Sequence, residues 1–124
     1  MTGAGRGGGG LSRVDLSGLA LAEVEALRRL VAYYERRWDG ESQTLFGLDR
    51  HEFQEVLAAW PRSLASGDPT AALAVNNSLA LFVYGMPPPE HEVPGIIGIT
   101  RTEAEDLYRR LGSRLRTVID RGQG

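Results

Sequence analysis

The chain has 124 residues, of which 42% are apolar and 24% charged, with sixteen Gly, no Cys and a formal net charge of −2. This balance predicts one soluble globular domain, expected in the cytoplasm: no apolar run nears the ~20 residues of a membrane span, and Met1 to Gly10 lacks the apolar stretch of a signal peptide. Without cysteine there are no thiolate nucleophiles, CxxC redox pairs or thiolate zinc sites.

Six of the first ten residues are Gly. With nothing apolar to bury, residues 1–12 are expected to form a flexible Gly-rich tail, leaving 13–121 as a single helical domain. Gly3, Gly5 and Gly8 fit GxGxxG, but no strand precedes them, so the match carries no phosphate-binding expectation.

A first helix is expected over 17–38, where Ala20, Val24, Leu27, Val31, Tyr34 and Trp38 lie on one stripe and Asp15 or Ser17 caps the start. Asp39-Gly40 ends it. A second helix over 49–60 opens with an Asp49/Glu52 capping box and a Leu48/Phe53 staple, buries Phe53, Val56, Leu57 and Trp60, and stops at Pro61. Pro61 to Ser66 offers a further short turn. Asp68-Pro69 starts a third helix over 69–84, although periodicity alone leaves the apolar run Leu79 to Tyr84 open between helix and buried strand.

Pro87, Pro88, Pro89 and Pro94 make Met86 to Gly98 an expected stiff, extended connector. The last helix, over 101–119, has a Thr100/Glu103 or Thr102/Glu105 capping box, an Ile99/Ala104 staple, and a buried stripe of Ala104, Leu107, Tyr108, Leu111, Leu115, Val118 and Ile119. The fold class expected is therefore all-α, a compact bundle of about four helices.

The chemistry-bearing residues are few. His51 and Glu55 share a helix face but lack the third ligand zinc needs, and His91 stands between Glu90 and Glu92, whose side chains on an extended chain point away from its own, so no metal or cofactor is expected. No GxSxG, SxxK, Walker A or HExxH motif is present and no carboxylate lies on an apolar stretch, so an enzyme is not expected. Asn76 and Asn77 interrupt an apolar helix. One should face outward and the other bond a loop carbonyl, expected in the Pro87 to Gly98 connector.

Charge is unevenly spread: residues 39–106 hold eleven acids against three Arg, whereas 107–124 hold five Arg against one acid. All fourteen basic residues are Arg, even at exposed helix positions, which reads as GC-rich coding rather than a recognition device. An acidic middle repels phosphates and favours a basic protein partner. Gly98 to Ala104, leading into Leu107 to Leu111, looks like the start of a helix-turn-helix recognition helix, and a DNA-binding, transcription-associated domain is the alternative function. Glu103, Glu105 and Asp106 stand where such a helix would meet phosphates and bases, which argues against nucleic acid.

Asn76-Asn77 through Gly85, the acidic connector, and Gly98-Ile99-Thr100-x-x-Glu103-Ala104-x-x-Leu107 with Leu111 resemble the second half of small all-helical bacterial proteins, some of them grouped with immunity proteins of toxin systems. The triple proline departs from that pattern. The resemblance implies a non-enzymatic helical protein that binds another protein, as an immunity or antitoxin-like inhibitor does. The partner-binding residues expected are Asp39 and Glu41 in one acidic loop and Glu90, His91 and Glu92 in the other. Tyr33 and Phe46 are the exposed apolar alternative.

Overall fold

Two capping boxes set the starts of two helices. In the computed structural model, which describes residues 14–123, Asp49 Oδ1 accepts from the Glu52 N–H at 2.8 Å and Glu52 Oε1 accepts from the Asp49 N–H at 2.9 Å. Thr100 and Glu103 make the same exchange at 3.1 and 2.8 Å. Each satisfies amide donors that a helix leaves open in its first turn. The expected tail, residues 1–12, lies outside the described residues.

Among the described residues there are seven α-helices and no strand: α1 (Leu21–Arg36), α2 (Ser42–Phe46), α3 (Arg50–Ala58), α4 (Arg62–Ala65), α5 (Pro69–Ala80), α6 (Val93–Ile97) and α7 (Arg101–Gln123). α5 runs on into a π turn, Leu81–Gly85, and a 3₁₀ turn, Glu90–Glu92, precedes α6. The all-α expectation holds, but about four helices becomes seven. α2, α4 and α6 have only four or five residues. Such pieces cannot nucleate alone and exist because their neighbours bury them.

α5 is the hub. Asp68 caps it by accepting from the Thr70 N–H at 3.0 Å, and Pro69 occupies its first turn, where a missing N–H costs nothing. Ala71, Ala72, Ala74, Val75, Ser78 and Leu79 are all buried, so the helix needs neighbours on several sides. Its small side chains let α7 approach closely. At one end a Cβ on Gly122 would fall 2.2 Å from Pro69 Cγ, and at the other Arg101 Nη2 donates to the Val83 carbonyl at 3.1 Å, so the two helices run antiparallel. α7 contributes Ala104, Leu107, Leu111, Leu115, Val118 and Ile119 to the core as expected, whereas Tyr108 is only half-buried.

α1 packs on α5, α3 and α6. It is shorter than the expected 17–38 because Asp15 Oδ1 is taken by the Ser17 N–H and hydroxyl, at 2.9 and 2.6 Å, in a turn before the helix. The N-cap is instead Ala20, whose N–H donates to Glu23 Oε1 at 2.9 Å. Packing against three elements widens the buried face to Ala26, Leu27, Leu30 and Val31, and leaves Ala20 exposed and Val24 half-buried. In α3, Phe53 and Val56 are buried but Leu57 and Trp60 only half so.

The apolar run from Leu79 is helical throughout. The Met86 N–H donates to the Leu81 carbonyl at 2.8 Å, and this wider turn keeps Phe82 and Val83 buried while exposing Tyr84 (58%) and Met86 (63%). The expected extended connector is also corrected, because between its ends at Met86 and Gly98 only Pro87–Pro89 lie outside helical turns, and Val93 and Ile97 are buried in α6. Pro94 sits in the first turn of that helix, where it breaks nothing. Gly98 ends α6 at φ +84°, a left-handed backbone that disfavours any side chain.

Replacing the fully buried Leu111 by Ala is expected to lower unfolding free energy by ~2–5 kcal/mol, through lost burial and a cavity, as read by urea titration. Acid should weaken the fold as well. Hydrogen bonds from Arg28, then Arg29, hold Glu25 down at about 2, and a bond from Arg50 at 2.7 Å lowers Glu35. The Ala20 N–H, with Arg110, lowers Glu23. These groups bind fewer protons when folded, so their contribution is complete above the ordinary value of 4.5 and is lost as pH falls toward 2. Glu25 is half-exposed and solvent screens it, so the urea midpoint should fall only modestly between pH 7 and pH 3 from these pairs.

Candidate partner-binding cleft

The last turns of α1 carry Tyr33, Tyr34 and Arg37 toward the place where α2 begins. Asp39 forms the turn just before that short helix. Its Oδ1 accepts from the Glu41 N–H at 2.9 Å and the Ser42 hydroxyl at 3.1 Å, while the Asp39 N–H donates to Ser42 Oγ at 3.0 Å. The other end of α2 is tied to α5, where Asn77 Nδ2 donates to the Phe46 carbonyl at 2.9 Å and Asn76 Nδ2 donates to Asn77 Oδ1 at 3.1 Å. The acceptor expected in the Pro-rich connector is thus Phe46, because α2, a helix without sequence periodicity, lies against α5.

Between these elements and the π turn lies a cleft of about 400 Å³. Tyr33, Tyr34, Arg37, Leu45, Leu81 and Met86 form much of its wall, and Asp39 and Glu41 lie on the same lining. Leu45 is 52% exposed. The Arg37 guanidinium sits 3.8 Å from the centre of the Tyr33 ring, and Arg37 Nη1 donates to the Tyr33 carbonyl at 3.4 Å. The Tyr34 hydroxyl is closed from solvent and has no hydrogen-bond partner. Burial pushes its pKa well above the ordinary tyrosine value, so it remains an O–H donor.

The five residues expected to meet a partner are divided between two places. Asp39 and Glu41 line this cleft, the first engaged in the α2 turn and the second exposed without an ion pair among the described residues. Glu90 and His91 line another, of about 470 Å³, with Thr100, Arg101 and Thr102 at the start of α7. Glu92 is exposed, 3.8 Å from His91 Nε2. All three belong to a 3₁₀ turn rather than a stiff extended loop. Phe46 is buried and Tyr33 half-buried, so neither is the exposed position expected, yet both line the cleft with Glu41. Arg37, Leu45, Leu81 and Met86 had no sequence signal, since they meet only through the packing of α1, α2 and the π turn.

Other charged clusters are engaged in part. The open cleft of about 570 Å³ beside α3 and α4 gathers Glu52, Glu55, Arg62 and Asp68, of which Glu52 and Asp68 cap helices. His51 lies 3.6 Å from Glu55, and no group of three metal-ligating side chains occurs among the described residues. The Gly98 turn joins α6 to α7. The acids at the start of α7 are committed locally: Glu103 to the cap, Glu105 3.3 Å from Arg101, and Asp106 2.7 Å from Arg110. No helix among the described residues is long and apolar enough to cross a membrane. Comparison with family models, curated proteins and solved structures returns no match to the chain.

Asn77→Ala should cost about 1–2 kcal/mol in a urea titration, because it leaves the Phe46 carbonyl without its donor and frees α2 from α5.

Proposed function

We propose that the chain is a small protein-interaction module that captures a basic partner protein, in the manner of an immunity or antitoxin-like inhibitor. One observation carries this reading: the cleft sets the unpaired carboxylate of Glu41 beside exposed Leu45 and Met86. Apolar anchors with charge at the rim are the anatomy of a protein-binding surface. Tyr84 extends the apolar surface, since it lines an adjoining depression that shares Leu45 and Leu81 with the cleft. The eleven acids of residues 39–106 supply the long-range field that draws a basic partner in.

The helix-turn-helix alternative has less support. Glu103 is exposed on the first turn of α7, where a duplex would bring phosphates.

The test is association kinetics with the partner recovered by co-purification. Replacing Glu41, Glu90 and Glu92 by Lys should slow association about tenfold at low salt and flatten its salt dependence, because exposed charge acts mainly on the encounter rate. An unchanged rate and salt slope would refute the basic-partner reading.

A further inference from the structure

Two features of the cleft have no task in the fold: Glu41 has a free carboxylate, and the Tyr33 ring holds a cation on its face. That cation is weakly held. Arg37 is exposed, forms no ion pair among the described residues, and makes one hydrogen bond, at 3.4 Å. A ring face that accepts one guanidinium at 3.8 Å can accept another, since stacking depends on the planar cation and not on the chain that carries it.

Building on the protein-binding reading, we infer that the cleft receives a partner segment in which an arginine neighbours an aliphatic residue, and that Arg37 is a placeholder which the partner's arginine displaces from the Tyr33 ring. Glu41 supplies the countercharge, and Leu45, Leu81 and Met86 receive the aliphatic side chain. Methionine adapts its shape to the anchor it meets. A volume of about 400 Å³ suits one or two side chains and not a whole folded element.

An intramolecular competitor gives this arrangement an unusual sign. Removing a positive charge from an acidic surface strengthens any basic partner somewhat, but removing a placeholder also frees the ring, so the gain must disappear when the ring is gone. Arg37→Lys keeps the charge but not the planar cation and should bind more tightly than the parent, and Arg37→Ala more tightly still, in both cases only while Tyr33 is present.

The probe is a randomised heptapeptide library displayed on phage and selected against the full chain. Enriched peptides are then synthesised and titrated by fluorescence anisotropy. Enrichment of Arg next to Leu, Ile or Met is expected, with binding about fivefold tighter to Arg37→Ala and about tenfold weaker to Tyr33→Leu and Glu41→Gln. Should Tyr33→Leu fail to fold, Arg37→Ala and Glu41→Gln, both at exposed positions, decide the matter. Enriched peptides without arginine, or an affinity for Arg37→Ala that is equal or lower, overturn the inference. Basic peptides that ignore the cleft variants and respond to Glu90→Gln and Glu92→Gln also overturn it, while leaving the basic-partner reading standing. A selection that enriches no basic peptide overturns both.

Discussion

The close antiparallel packing of α5 on α7 is the contact on which the rest of the structure depends. α5 is rich in alanine and buried along most of its length, so it gains little from any one large side chain and relies on neighbours packed tightly around it. α1, α2, α3, α4 and α7 all rest on it. At Pro69 and Gly122 the absence of a side chain on the glycine makes the contact possible. The short helices α2 and α4 take their helical form from this surface, since neither contains enough hydrogen bonds to offset the entropy of its own nucleation.

The cleft inherits its shape from a second packing feature, a run of aromatic contacts that joins the end of α1 to three other elements. Tyr34 meets Phe46 at 5.2 Å, Phe46 meets Trp38 at 5.6 Å and Phe53 at 5.0 Å, and Tyr33 meets Phe82 edge-on at 5.7 Å. Edge-to-face pairs fix ring orientation as well as distance. Tyr33 therefore presents a defined face to Arg37, and Tyr34 holds its hydroxyl away from solvent. With α2 fastened by Asp39 at its start and by Asn77 at its end, the wall carrying Glu41 and Leu45 is anchored on both sides.

The acids that dominate the middle of the chain divide by task. Asp39, Asp49, Glu52, Asp68 and Glu103 accept backbone hydrogen bonds at helix starts, where the helix dipole also favours them. Glu105 and Asp106 lie against arginines of their own helix, and Glu35 against Arg50 across the α1–α3 contact. Glu41 is left over. In this chain the count of charges says less about recognition than the count remaining once the backbone and the arginines have taken their share.

How much was legible from the residues alone follows from the range of the forces involved. The starts of α3, α5 and α7 were readable because a cap and its amide lie within three residues of each other, and the buried stripe of α7 was readable because a long helix repeats its pattern. The sequence by itself determined that the fold is mainly helical and where the caps of α3, α5 and α7, the α7 core face and the acidic surplus lie. Tertiary structure decided the rest. It made a five-residue helix of Ser42–Phe46, turned the segment after the triple proline into helical turns once Val93 and Ile97 found apolar cover, and sent the Asn77 amide to a carbonyl thirty-one positions away. It also brought Glu41 together with Tyr33, Arg37, Leu45 and Met86, a grouping no local pattern encodes because its members come from α1, the α1–α2 turn, α2 and the end of the π turn. Hydrogen bonds and caps act over a few residues and leave a mark in the sequence, whereas burial is settled only when distant segments compete for the same apolar surface.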